Sequence, residues 1–270
     1  VYLGTPAMAV PPLQALVAAG HRIDLVVTRA DKRRGRGSEL MPSPVKAAAA
    51  ELGLPVSHDV DDVVDSGAEL GVVVAYGRLV KPHVLSAIPM VNLHFSLLPR
   101  WRGAAPVERA LLAGDRVTGV CLMQLDEGLD TGPVYRRVEV PIADRSTADE
   151  LRRRLVHVGT DLLVDALGSP LPSPVPQSGQ PTYAAKIDPA ELRIDWTAPV
   201  EHIDRLVRLG GAWTTFRGRR MKVLAAEPSE SGSSVTGGLL LFTVQPEGKP
   251  AMAFDDWVRG ARPAPDERFE

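Results

Sequence analysis

The residues with the most evident chemical potential lie in the stretch 91–106, VNLHFSLLPRWRGAAP. An apolar run ends there and a loop begins, so Asn92 and His94 fall at the carboxyl end of an expected strand. Two positions apart on a strand, their side chains leave on the same face. An amide donor beside an imidazole can polarise a carbonyl and manage a proton, since an imidazole titrates near neutrality. The same Asn-x-His pair also serves elsewhere as a purely structural hydrogen-bonding unit. A second stretch, MQLDEGLDTG at 123–132, runs from an apolar strand into a loop with Asp126, Glu127, Asp130 and glycines at 128 and 132. Such a loop is either a solvated turn or the source of a carboxylate that orients His94. Spacing does not choose among the three acids.

Other chemistries lack their residues. There is no GxxxxGK[ST] loop, and Gly35-Arg36-Gly37 lacks the third glycine of a dinucleotide fingerprint. The six histidines form no HExxH, and no Cys/His cluster has zinc spacing, so no metal is expected. The one cysteine, Cys121, can form no internal disulfide and sits inside an apolar strand, where it reads as core.

Positioning these groups requires a framework, and 270 residues suit two domains. Hydrophobic residues at 44% and charged residues at 24% are ordinary globular usage, which excludes a disordered or collagen-like chain. The formal charge of −2 confines nucleic-acid contact to local basic patches. No apolar run is long enough to span a bilayer, and no signal-like segment opens the sequence, so a cytoplasmic protein is expected. Val1-Tyr2-Leu3 is already strand-like, and the first strand reads as having lost a residue or two from its start.

Short apolar runs alternate with helical stretches through residue 168. Strands are expected at 1–3, 23–28, 70–75, 91–94, 118–125 and 134–140, with helices at 11–19, 44–52, 80–87, 106–113 and 147–167. That order predicts an α/β fold: a Rossmann-like, mostly parallel sheet with helices on both faces over 1–168. Five prolines in SPLPSPVPQSGQPT make 169–182 a semi-rigid linker. Short β-like pieces at 213–216, 221–225 and 239–244 suggest a small C-terminal β-barrel, OB-like, over 183–270.

Taken together, NLHFSLLPRWRGAAP and LDEGLDTG resemble the signature of the 10-formyltetrahydrofolate-dependent formyltransferases. GRGSELMPSPVKAAA at 35–49, TYAAKID at 182–188 and GAWTTFRGRRMKV at 211–223 resemble the branch that acts on methionyl-tRNA. The resemblance implies formyl transfer from 10-formyltetrahydrofolate to the amino group of methionyl initiator tRNA, with Asn92, His94 and Asp130 as the catalytic set. It also implies that Ser96, Leu97, Leu98, Pro99, Arg78, Leu79, Val80 and Asp126 lie against the folate. The loop at 29–43 resembles the insertion that grips the tRNA acceptor end, which implicates Arg36 above all, with Arg33 and Arg34; Lys46, just beyond the loop, is a further tRNA-binding expectation. Arg217, Arg219 and Arg220 are the corresponding expectation in the C-terminal domain, and the protein is expected to act as a monomer. Connections after 88–90, at 208–211 and at 227–240 are shorter than the family pattern.

Location, more than number, makes the basic residues fit RNA. Residues 29–37 hold five basic groups against Asp31, and 193–222 hold seven against three acids, an excess of 4 in each case. A basic surface of this kind tracks a phosphate backbone and weakens with salt. Trp101, between Arg100 and Arg102, would either stack on a terminal base or cap the pocket. Two other readings compete: formylation of a small amine by the same three residues, and an RNA-binding module on an idle scaffold. The basic loop argues against the first, and the joint presence of Asn92, His94 and Asp130 argues against the second.

Overall fold

Three short runs, Tyr2–Gly4 (β1), Gly71–Val74 (β6) and Met90–His94 (β7), are buried along their whole length. Strands apolar on both sides belong at the centre of a sheet covered on both faces. The structure, a computed structural model, describes residues 1–33, 40–229, 238–264 and 266–270. Its remaining early elements are α1 (Val10–Ala18), β2 (Val26–Val27), β3 (Lys32–Arg33), β4 (Leu40–Met41), α2 (Pro44–Glu51), β5 (Val56–Ser57) and α3 (Pro82–Ala87). After β7 come α4 (Pro106–Ala113), β8 (Val117–Gln124), β9 (Val134–Pro141) and α5 (Ala148–Leu167).

The main sheet has the order β5-β2-β1-β6-β7-β8-β9. Its first five strands run parallel, as expected; β8 and β9 each pair antiparallel with the strand before. Prolines mark the helix starts because a first-turn residue needs no amide hydrogen. Ser43 caps α2, its hydroxyl accepting the Lys46 amide at 3.0 Å. The third helix starts at Pro82 rather than at 80, since Lys81 precedes a proline and is extended at ψ 150°. The strand expected over 23–28 contracts to Val26–Val27, the two residues that pair with both β1 and β5.

By compactness the chain divides into two units. One comprises residues 1–107, 117–141 and 152–185, the other residues 108–116, 142–151 and 186–270. Within the first, the proline-rich stretch 169–182 has no helix or named strand. It is pinned all the same, by paired bonds between Val134 and Val175 at 2.8 and 2.9 Å and by Arg102 N–H on the Thr182 carbonyl at 2.9 Å.

The second unit contains α6 (Val200–Leu209), β10 (Trp213–Phe216), β11 (Arg219–Pro228), β12 (Leu239–Pro246), β13 (Met252–Ala253) and α7 (Phe254–Ala261). Its strands form an antiparallel sheet in the open order β10-β11-β12-β13, with no pairing of first to last among the described residues. Alternation along β11 sends Met221 and Val223 inward and Arg220, Lys222 and Leu224 outward. The inward set meets Ile203, Leu206 and Val207 of α6, which recur at helical spacing. Asp204 on α6 is buried and paired with Arg145 at 2.6 Å and Arg208 at 2.8 Å. Asp204→Ala would strand Arg208, itself largely buried, without its anion. The expected loss is about 3 kcal/mol, read as a lower urea midpoint for this unit.

Candidate active site

In the first unit, β7 places Asn92 opposite Val73 of β6 and Met123 of β8, and His94 opposite Cys121. Both polar side chains are buried, at 9% and 6% exposure, on strands otherwise filled by apolar residues. A buried polar group needs partners. They come from two loops. Asn92 Nδ2 donates to Asp130 Oδ1 at 3.3 Å, and the Gly103 amide donates to Asp130 Oδ2 at 2.7 Å. His94 Nδ1 faces Asp130 Oδ2 at 3.6 Å, close but beyond hydrogen-bond length. Its Nε2 lies 2.9 Å from the Trp101 carbonyl. A carbonyl only accepts, so Nε2 carries the proton, and that partner fixes the tautomer.

The structure therefore gathers Asn92, His94 and Asp130 into one cluster, and it separates the three acids that spacing left equal. Asp126 Oδ1 accepts from the Gly128 amide at 3.1 Å and the Thr131 hydroxyl at 2.7 Å, so that carboxylate shapes its own loop. Glu127 is exposed. Asp130 alone among them reaches β7. It does so at φ 50°, a left-handed conformation unusual for a non-glycine residue. Gly103, at φ 115°, presents its amide from a backbone shape that only glycine adopts easily.

Two contributors were not among the expected site residues. Gly103 is one. The other is Gln177 of the proline-rich stretch, whose amide bonds Arg102 and the carbonyls of Asp130 and Gly132. Cys121, fully buried under this cluster's strand pair, has its thiol pushed up by burial and takes no part in the polar network.

The expected folate residues divide. Ser96 is fully buried, its hydroxyl donating to the Arg100 carbonyl at 2.6 Å, and Leu98 packs with Cys121, Met123 and Val134. Leu97 and Pro99 are half-buried, as is Val80, while Arg78 and Leu79 are exposed, Leu79 at 80%. Leu129, beside Asp130, is 53% exposed.

Of the expected tRNA residues, Arg34 and Arg36 lie outside the described residues. Arg33 is exposed on β3. Lys46 is clamped by both oxygens of Asp31, the one acid of residues 29–37, at 2.8 Å. Arg217 pairs with Glu267 at 2.5 and 2.6 Å. That guanidinium, with the Ala264 amide, brings the Glu267 carboxyl down to about 2. Arg219 and Arg220 are exposed, and Arg220 lies 4.1 Å over the Trp213 ring. Trp101 is half-buried with the Arg100 guanidinium 4.5 Å over its ring.

Among the described residues, no cluster of His, Cys, Asp or Glu is arranged to hold a metal ion, and no helix is long and apolar enough to cross a membrane.

The chain resembles known proteins along nearly its whole length. Residues 1–167 match the formyl transferase family model, and residues 186–262 match the model of the formyl transferase C-terminal domain. The methionyl-tRNA formyltransferase of Ruegeria pomeroyi is 44% identical over 290 positions, covering 96% of each chain. That of Acidothermus cellulolyticus is 42% identical over 323 positions, covering 100% of this chain and 99% of its own. Its 323 aligned positions against 270 residues mean that the relative carries insertions absent here, in keeping with the short connections noted in the sequence. In fold, the methionyl-tRNA formyltransferase of Clostridium thermocellum superposes with a TM-score of 0.65 at 14% identity, covering 91% of this chain and 96% of that one.

Proposed function

Because the chain belongs to the formyl transferase family, we propose that it transfers the formyl group of 10-formyltetrahydrofolate to the amino group of methionyl initiator tRNA, for translation initiation. The observation that carries this reading is the buried meeting of Asn92, His94 and Asp130 on β7 and its two flanking loops. When bound, the folate supplies the formyl carbon and leaves as tetrahydrofolate with the proton that the amine loses. Asn92 donates its amide hydrogen to the oxygen on which charge develops, a role worth about 3 kcal/mol of barrier for a preorganised donor. His94, its Nε2–H engaged by Trp101, takes up and returns a proton at Nδ1. Asp130 orients Asn92 through Oδ1, and its Oδ2, 3.6 Å from Nδ1, favours the ring once that nitrogen takes up the proton.

The residues present fit the folate. Leu79 and Leu129 leave apolar surface exposed on the loops after β6 and β8, as a flat bicyclic ring requires, and the 124–130 loop and the Leu97–Pro99 backbone supply polar edges. Arg33, Arg34, Arg36, Arg219 and Arg220 meet tRNA phosphates, while Lys46 and Arg217 do so by exchanging Asp31 and Glu267 for phosphate. Residues 1–168 carry the chemistry and 183–270 the RNA surface, in a cytoplasmic monomer.

The acceptor is the point to test. With 10-formyltetrahydrofolate as donor, methionyl initiator tRNA is offered against an amino-sugar nucleotide and an amine-bearing ribonucleotide. Formylation of the tRNA alone is expected, with its KM rising steeply between low and moderate salt. Formylation of a small amine in preference to tRNA would replace this reading with the small-acceptor one.

A further inference from the structure

We infer that Gln177 is a positioning residue for formyl transfer, a clamp that sets the backbone of Asp130; this rests on the function proposed above. Its Nε2 donates to the Asp130 carbonyl at 2.8 Å and to the Gly132 carbonyl at 2.8 Å. Its Oε1 accepts from Arg102 Nη2 at 2.7 Å and Nε at 3.2 Å. The amide orientation follows from the partners alone, since two carbonyls can only accept and a guanidinium can only donate. One side chain thus ties together the two loops that meet at the catalytic cluster. Those loops also touch directly where the Gly103 amide reaches Asp130 Oδ2.

The clamp is itself held. The Val134–Val175 bonds fix the chain two residues before Gln177. Thr182 fixes it after, accepting the Trp101 amide at 2.9 Å through its hydroxyl and the Arg102 amide at 2.9 Å through its carbonyl. Pro176 and Pro181 narrow the backbone freedom between these anchors, which lowers the entropy to be lost when Gln177 docks. Asp130 has need of such a clamp. Its φ of 50° is a sparsely populated conformation that persists only when neighbours over-determine it. Gln177 holds the carbonyl of that very residue, and its partner Arg102 lies next to Gly103. The proline-rich stretch is therefore part of the site and more than a spacer.

Gln177→Glu dissects the clamp, since a carboxylate keeps the Arg102 pairing but sets an oxygen against two carbonyl oxygens. The test compares single-turnover formyl transfer by Gln177→Glu and Gln177→Ala, each in the natural background and in Asp130→Ala. Folate affinity, KM for methionyl tRNA and the thermal midpoint are measured beside it. In the natural background the rate is expected to fall at least about tenfold, the scale of a reacting group displaced by a fraction of an ångström. Both substrate constants should stay within about threefold, which separates positioning from binding. In Asp130→Ala the same substitution should change the rate by less than about twofold, because the group being positioned is gone. An equal loss in both backgrounds, or full activity in Gln177→Glu, would overturn the inference. Should Gln177→Glu fail to fold, Gln177→Ala carries the same comparison. A natural chain without formyl transfer would instead remove the proposed function itself, a distinct outcome.

Discussion

His94→Ala is expected to lower the rate of formyl transfer at least about a hundredfold, the loss typical of removing one preorganised group from an acyl-transfer site. The ring is 6% exposed, flanked by the Trp101 carbonyl at Nε2 and by Asp130 at Nδ1. Its two nitrogens thus sit between a fixed acceptor and a carboxylate, and no neighbouring imidazole can replace it: His58 and His83 bond Thr28 and Asp61 instead. The loss should fall on kcat, with KM for folate and tRNA changed little, because the ring acts on charge that exists only during transfer. Rapid-quench measurement of the chemical step, with the thermal midpoint as a control for folding, checks this. A variant retaining more than about a tenth of the rate would remove His94 from the mechanism while leaving the function in place.

Gly132→Ala should disable the site from two residues away. A Cβ at Gly132 would lie 1.9 Å from the Gln124 carbonyl oxygen and 3.3 Å from Met123 Cε. The oxygen belongs to β8 and cannot retreat easily, since Gln124 is opposite Val91 of β7 and its amide bonds Pro133 at 2.8 Å. The loop must move, and it carries Asp130. Displacing a catalytic group by about 1 Å costs roughly a hundredfold in rate, so a loss of that order is expected for Gly132→Ala. The same substitution at Gly260 meets nothing within 4 Å on α7 and should leave rate and stability almost unchanged. Equal, small effects at both positions would show that the loop does not need its close approach to β8.

These two residues also mark how far the sequence could be read. Asn92 and His94 were legible because strand alternation puts both on one face, and the helix starts at Pro44 and Pro106 were legible because proline is tolerated only there. Asp130 was not separable from Asp126 and Glu127 by spacing, since all three belong to one loop and only the folded path turns one of them toward β7. Gln177 was beyond reach: it lies 47 residues from Asp130, in a stretch whose prolines speak only of extended chain. The ion pairs of two expected tRNA residues were out of reach for a similar reason. Asp31 pairs with Lys46 across 15 residues and Glu267 with Arg217 across 50, and charge counts along the chain do not register such pairings. Helix α6 is a different omission, because Ile203, Leu206 and Val207 carry a readable amphipathic spacing, yet it is not among the expected elements.

The most direct measurement is formation of formylmethionyl-tRNA by the full chain from 10-formyltetrahydrofolate and methionyl initiator tRNA, run beside Asn92→Ala and Asp130→Ala. Formylation by the natural chain, with at least about a hundredfold loss in each variant, is the expected result. A folded chain that binds folate and leaves methionyl-tRNA unformylated, or one that formylates it undiminished without Asn92 and Asp130, would contradict the assignment of this chemistry to β7 and its two loops.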